Sequence, residues 1–411
     1  MSDRRAGEGE HAPIDDPYAT VWLLNALREA GATDQIAVLL ASDPAAHAPL
    51  DDQSATVALL NALRQADATD QVRALAARAA AHAPVDPSVY VLLKPLREAG
   101  ATDQVLILAA RAAAYIPLDN PDAVGTLLNA LRQAEATDQI AVLLTRDPAA
   151  HAPLDDSYHI ARLLDALREA GATDQVLILA ARAGALAPLD DPDATAELLN
   201  ALLEAEATDQ AGVLLSRGPA AQASLDDPGG IAWLLRTLRE AGAADQVAVL
   251  LARDPAAHAH LDNHFVAELL NELRQAEAID QVAVLLARDP AAYAPLDNPH
   301  ATARLLEALR GAEATDQVLA LATRAAAHAP LDNPYDATAL LNALRQAGAT
   351  DQVAVLLARN PGTDEHLDNP NVHLPPDEAR QAGVADPSPT RAPRRWWGCF
   401  ARRARPAKPK S

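Results

Sequence analysis

Leu23-Leu-Asn-Ala-Leu-Arg-Glu-Ala-Gly-Ala-Thr-Asp-Gln-Ile-Ala-Val-Leu-Leu40 decides the fold, because the chain writes this stretch ten times with small changes. The copies are marked by Asp34, Asp70, Asp103, Asp138, Asp174, Asp209, Asp245, Asp280, Asp316 and Asp351, at successive spacings of 36, 33, 35, 36, 35, 36, 35, 36 and 35 residues. Apolar residues at helical spacing on either side of the Ala30-Gly31-Ala32 turn predict two helices per copy. A fixed period of this length means stacked supersecondary units, since one pair of helices cannot bury its apolar face alone. The expected fold is all-α, a right-handed α-solenoid of about ten two-helix repeats over residues 13–368. Residues 1–12 are expected to be a disordered N-terminal segment and 369–411 a Pro-rich, then basic, disordered tail.

Composition agrees with one elongated helical body. Half of the 411 residues are hydrophobic but only 3% are aromatic, so the interior has to be built from Leu, Val, Ile and Ala. The net charge of −22 is unevenly placed. Eight basic residues and no acid follow Thr390, which leaves residues 1–390, with 26 basic and 56 acidic residues, at −30. So acidic a body repels phosphate backbones, which argues against nucleic acid and for a basic protein or peptide as partner. The single cysteine, Cys399, excludes an intrachain disulfide and fits a reducing compartment. Met1–Gly9 has no apolar core of a leader, and no stretch is apolar enough to span a bilayer, so the expected location is the cytoplasm.

Within a copy, Asp16-Pro17 reads as a helix start, the carboxylate accepting from orphan amides and proline tolerated in the first turn. Thr20, Leu23, Leu24, Leu27 and Ala30 share the face to be packed. Gly31 ends the helix, and Asp67 or Glu135 stands there in other copies. The aspartate of Thr33-Asp34-Gln35 is expected either to cap the second helix or to complement its positive end. A column of catalytic or metal-binding carboxylates is disfavoured, because one copy separates them by roughly 10 Å. Copies with Pro after the second helix, as at Asp43-Pro44, are one residue longer before the linking Leu-Asp than copies reading Arg-Ala-Ala. The proline form should therefore break the helix and restart a short turn, and the alanine form should run through. His11, His47, His82, His151, His258 and His328 share a column with Tyr115, Leu186, Gln222 and Tyr293. Leucine cannot ligate a metal, so that column is expected to be a partly buried packing position. Two copies depart from the pattern: the third is two residues short and carries Pro95 inside its first helix, and the eighth lacks one residue before Leu269.

The stretch 23–40 resembles Leu/Ala-rich tandem helical repeats of uncharacterised actinobacterial proteins. More broadly, the chain is similar to tetratricopeptide and HEAT-type α-solenoids, a resemblance that implies a protein-interaction scaffold. The tetratricopeptide pattern of early Trp, Leu-Gly and Tyr is absent, and so is a Gly-Lys-Ser/Thr phosphate loop.

Near-identical copies make their exceptions informative. Two positions on the first helix, four residues apart and opposite the packed face, hold Tyr18 and Trp22, Tyr158 and Arg162, His264 and Glu268, and His300 and Arg304, with Trp233 and Tyr335 in two further copies. Exposed aromatics are enriched in binding patches, so these ten residues are the expected protein-binding strip. No nucleophile–base pair, cofactor motif or metal-ligand spacing accompanies them, and catalytic, cofactor and metal sites are expected to be absent. The rival expectations are an enzyme with a carboxylate- and His-lined cavity in a closed helical toroid, and a purely structural spacer. In the tail, Trp396, Trp397 and Phe400 among arginines suit weak contact with an anionic membrane, single-stranded nucleic acid or the acidic body itself, or have no role.

Overall fold

In the computed structural model, residues 16–86 and 88–359 are described; the expectations for 1–15 and 360–411, including the tail tryptophans and Cys399, lie outside these residues. Among the described residues the chain is all-helical, with 25 α-helices packed consecutively, one short 3-10 helix and no strand. It divides into two compact units, Met1–Leu225 with Gly230–Arg253, and Asp226–Gly229 with Asp254–Ser411.

The fifth copy shows why the pattern folds. Its first helix, Ser157–Glu169, is capped by Asp156, whose Oδ1 accepts from the amides of Tyr158 at 2.9 Å and His159 at 3.1 Å. Ile160, Ala161, Leu163, Leu164, Ala166 and Leu167 are buried at helical spacing, against the first helices Pro121–Gln133 and Pro192–Glu204 of the neighbouring copies. Each buried leucine contributes about 1.5–3 kcal/mol. The second helix, Thr173–Leu186, packs likewise on the second helix Thr208–Ser216 that follows. Gly184 allows that approach, because a Cβ there would stand 2.7 Å from the Gln210 carbonyl oxygen.

First helices end in one way throughout. In the first copy the Gly31 amide donates to the Arg28 carbonyl and the Ala32 amide to the Leu27 carbonyl, with Gly31 at φ +66°. This pair of bonds satisfies carbonyls that the helix end would otherwise leave open. Where glycine is missing, Asp67, Glu135, Glu206, Glu277 and Glu313 adopt the same left-handed conformation, at φ 54–57°. The turn geometry is thus required even of residues that prefer to avoid it.

The two link lengths have the expected cause. With Ala after the arginine, the second helix runs unbroken, as in Thr69–His82 and Thr173–Leu186. With Asp-Pro, it stops at Ala41 and restarts as Pro44–His47, with Asp43 left-handed at φ 52° between the pieces. The shortened third copy replaces the usual thirteen-residue first helix with a 3-10 turn, Val89–Leu92, that runs into a six-residue helix, Leu93–Glu98. Pro95 stands in the first turn of that helix, where its missing N–H costs least. In the eighth copy the first helix contracts to Val266–Gln275, preceded by the exposed Phe265.

Two contacts that bind copy to copy carry no signature in the local sequence. An arginine near the end of the second helix donates to backbone carbonyls of the preceding copy. Arg111 reaches Ala80 and Ala83, both at 2.8 Å, and Arg146 reaches Ala113 at 2.9 Å and Ile116 at 2.7 Å. Arg78, Arg182, Arg217 and Arg253 do the same in the first unit, and Arg288, Arg324 and Arg359 in the second. In the first copy Ser42 stands at that place and bonds its own Leu39 carbonyl. The glutamine of Thr-Asp-Gln is the second clamp. Gln175 accepts from the Ala149 amide at 3.1 Å and donates to the Asp147 carboxylate at 2.9 Å, closing the start of the short helix Pro148–His151. Gln281 repeats this with Ala256 and Asp254 in the second unit.

Candidate functional site

The first helices of the copies bury Leu and Ala and turn their remaining face outward, and all ten residues of the expected strip lie on that face, exposed or half-buried. In the first unit Trp22 is 72% exposed, and the Tyr18 hydroxyl donates to Asp52, the cap of the next first helix, at 3.1 Å. Desolvation and the neighbouring Asp52 carboxylate hold that phenol above its ordinary pKa. Tyr158 and Arg162 form a unit of their own, the guanidinium lying 5.9 Å from the ring centroid and pairing with Asp122 of the preceding copy. Trp233 differs from Trp22 in being half-buried, although both hold the same position in their copies. In the second unit Glu268 pairs with Arg304 of the next copy at 2.7 Å, and His264 Nε2 stands 3.6 Å from Asp297. His300 and Tyr335 are half-buried on the same helix face.

Beside the strip runs an ion-pair ladder between successive first helices, which the sequence reading missed. Arg64 meets Glu98 at 3.1 Å, Arg132 meets Glu169, and Arg168 meets Glu204 at 2.8 Å. The available signal was the recurrence of Arg followed by Glu or Gln at the end of eight of the ten first helices, with the partner one copy away. In the fifth and sixth copies, carboxylates stand close enough to act on one another. Burial and the nearby carboxylates Asp165 and Glu204 push Glu197 up from the ordinary glutamate range, while Arg162 opposes this. Asp165 and Glu204 are also raised, first by burial, with Arg168 pulling against it in both. In all three, burial is the main cause and favours the neutral acid, and the neighbouring carboxylates add to it.

The third copy interrupts this wall. Because its first helix is short, the neighbouring helices Gln53–Gln65 and Pro121–Gln133 leave a cleft of about 480 Å³, lined among others by Asn61, Tyr90, Lys94, Glu98 and Asn129. Lys94 is the single lysine of the described residues, and its ammonium lies 3.9 Å from Glu98.

Two columns read from the sequence are corrected or resolved by the structure. The histidine column does not pack: His47, His82, His151, His258 and His328 are exposed, as are Tyr115 and Leu186, because each stands on the outer side of its helix end, while the residues just before and after on the inner side, such as Ala79, Ala80 and Ala83 around His82, are buried; His11 lies outside the described residues. The aspartate column complements the helix end and does not cap it. The residue before each helix is alanine, as at Ala172, no side-chain cap is formed, and Asp174 lies exposed in the first turn. Among the described residues no group of three or more His, Cys, Asp or Glu could hold a metal ion.

No family model matches the chain, and no curated protein is similar to it. Among solved structures it is similar to Ton1535 from Thermococcus onnurineus NA1, at 14% identity and a TM-score of 0.26, over 88% of this chain and 98% of that one. No helix among the described residues is long and apolar enough to cross a membrane.

Proposed function

We propose that the chain is a non-catalytic scaffold, a right-handed α-solenoid of ten two-helix repeats that holds a basic protein or peptide on the variable face of its first helices. One observation carries this reading. The residues that join copy to copy, the inward leucines and the arginine and glutamine clamps, recur along the chain, whereas the outward positions of the first helices change from Trp to Arg to Glu to His. A spacer has no use for such variety on one face only. The net charge of −30 over residues 1–390 supplies the preference for positive charge, and Tyr18 and Trp22 supply exposed aromatic anchors.

A peptide of residues 391–411 is a suitable basic probe. The full chain should bind it more tightly at low salt than at about 0.5 M, where screening is short-ranged, and a chain ending at Thr390 should bind it more tightly than the full chain, whose own tail competes. Trp22→Ala combined with Tyr158→Ala should weaken binding with the melting temperature almost unmoved. Binding that ignores both salt and these two side chains sinks the reading. Trp233→Ala is the internal control: its half-buried ring should cost stability as well.

A further inference from the structure

One outward column of the first helices alternates. From the second copy on, the residue directly after the Leu-Leu pair reads Asn61, Lys94, Asn129, Asp165, Asn200 and Arg236: a neutral amide in one copy, a charge in the next, and the charge changes sign each time it returns. Asn271, Glu307 and Asn342 continue the order in the second unit. The column one residue before the pair, which holds Trp22 and Arg162, shows no such order. In the first unit Lys94 and Arg236 are exposed, and Asp165 and the three asparagines are half-buried. The first helices that carry Asn61 to Asn200 pack one against the next, so their side chains form a continuous row.

The charges of this row are not cancelled by their own neighbours. Lys94 stands 3.9 Å from Glu98, but Glu98 is already paired with Arg64 at 3.1 Å, so the three groups sum to +1. Asp165 accepts from Arg168 at 3.2 Å, but Arg168 also pairs with Glu204 at 2.8 Å, so these three sum to −1. The cleft of about 480 Å³ beside Lys94 leaves room for an incoming side chain.

We propose, resting on the binding face inferred above, that the partner lies on the first unit as an extended segment carrying an acidic, a basic and again an acidic side chain, opposite Lys94, Asp165 and Arg236 in turn. Packed helices lie roughly 8–10 Å apart, so two copies span roughly 16–20 Å. An extended chain rises about 3.3 Å per residue, and about six residues carry it from one charged place to the next. The neutral asparagines between tolerate any side chain, whereas a like charge opposite Lys94 or Asp165 is repelled, so the row fixes register as well as affinity. The overall basic character of the partner answers the charge of the body, and the row sets where along it the acids fall. The pattern reads the same in both chain directions.

Fluorescence titration of the full chain at low salt with two labelled peptides tests the proposal. Both carry glutamate, lysine and glutamate among neutral residues, in one peptide about six residues apart and in the other about three, the step of a single copy. Composition and net charge are equal, so the field of the body cannot tell them apart. The wide peptide should bind about tenfold more tightly, because the narrow one sets its charges on asparagines or against their like. Lys94→Glu combined with Asp165→Lys leaves the net charge of the chain unchanged and should abolish that advantage. Should this pair misfold by circular dichroism, Lys94→Gln, at an exposed side chain, must reduce the advantage about threefold. Equal affinity for the two peptides, no binding of either, or an advantage that survives the substitutions overturns the proposal. The binding face itself fails separately: if the 391–411 peptide depends on Trp22 and Tyr158 while spacing makes no difference, the face stands and the charge register falls.

Discussion

The third and fifth copies carry the same sentence and differ in one helix. In the fifth, thirteen residues, Ser157–Glu169, lie tightly between their neighbours, and Asp165 is half-buried and accepts from Arg168 at 3.2 Å. In the third, the loss of two residues leaves a 3-10 turn and six helical residues, Lys94 stands where the fifth copy has Asp165, and a cleft of about 480 Å³ opens beside it. Yet Leu92, Leu93 and Leu96 are as fully buried as Leu163, Leu164 and Leu167. A shortened helix thus keeps its core contacts and loses only the outer turn, so an insertion or deletion in this architecture is expressed on the wall and not in the interior.

Truncating the core should give the largest effect. Leu163→Ala is expected to lower stability by about 2–5 kcal/mol, and Leu92→Ala by an amount toward the lower end, because the walls of an existing cleft can close around the missing atoms. Chemical denaturation of both variants measures the difference; equal losses would mean that the cleft is as rigid as the packed wall.

The arginine clamps come next. Arg111→Ala strands the Ala80 and Ala83 carbonyls just before the shortened helix, and a buried acceptor without a partner costs about 1–3 kcal/mol. Arg182→Ala, which removes a bond to Ala149 alone, should cost less. If the order is reversed, the clamps do not act through the bonds they make.

Asp165→Asn should act in the opposite direction and depend on pH. Burial raises the Asp165 carboxyl above its ordinary value of 3.8, so the folded chain binds more protons there than the unfolded chain. Its contribution therefore favours folding at low pH and is lost as pH rises from the ordinary value through the raised one. The variant should be more stable than the parent at neutral pH, with the gain vanishing as the pH falls below about 4. Melting curves across that range decide it; a gain that persists in acid would point to packing instead.

Smallest of all is the aspartate column. Asp103→Ala and Asp174→Ala should each cost about 0.3–1 kcal/mol at low ionic strength, by equal amounts in the two copies, and the loss should shrink with salt. A larger, salt-independent loss would restore the capping role that the geometry does not show.

Much of this molecule was legible one copy at a time. Asp16 as a cap, the left-handed turn at Gly31, the broken second helix after Asp43-Pro44 and the disturbance around Pro95 all follow from steric and hydrogen-bonding limits that act within a few residues. What escaped acts between copies. The partners of Arg111 are backbone carbonyls, and one partner of Gln175 is a backbone amide, about thirty residues away, groups that leave no mark in the sequence. The histidine column shows the same limit from the other side: His82 lies between Ala80 and Ala83, but it is exposed and they are buried, because the neighbouring copies pack on the opposite side of the helix. Trp22 and Trp233 occupy identical positions in their copies and differ in burial. Local chemistry is enough to determine helices, caps and breaks; which side of each helix meets water is determined by neighbours that only the tertiary structure brings into place.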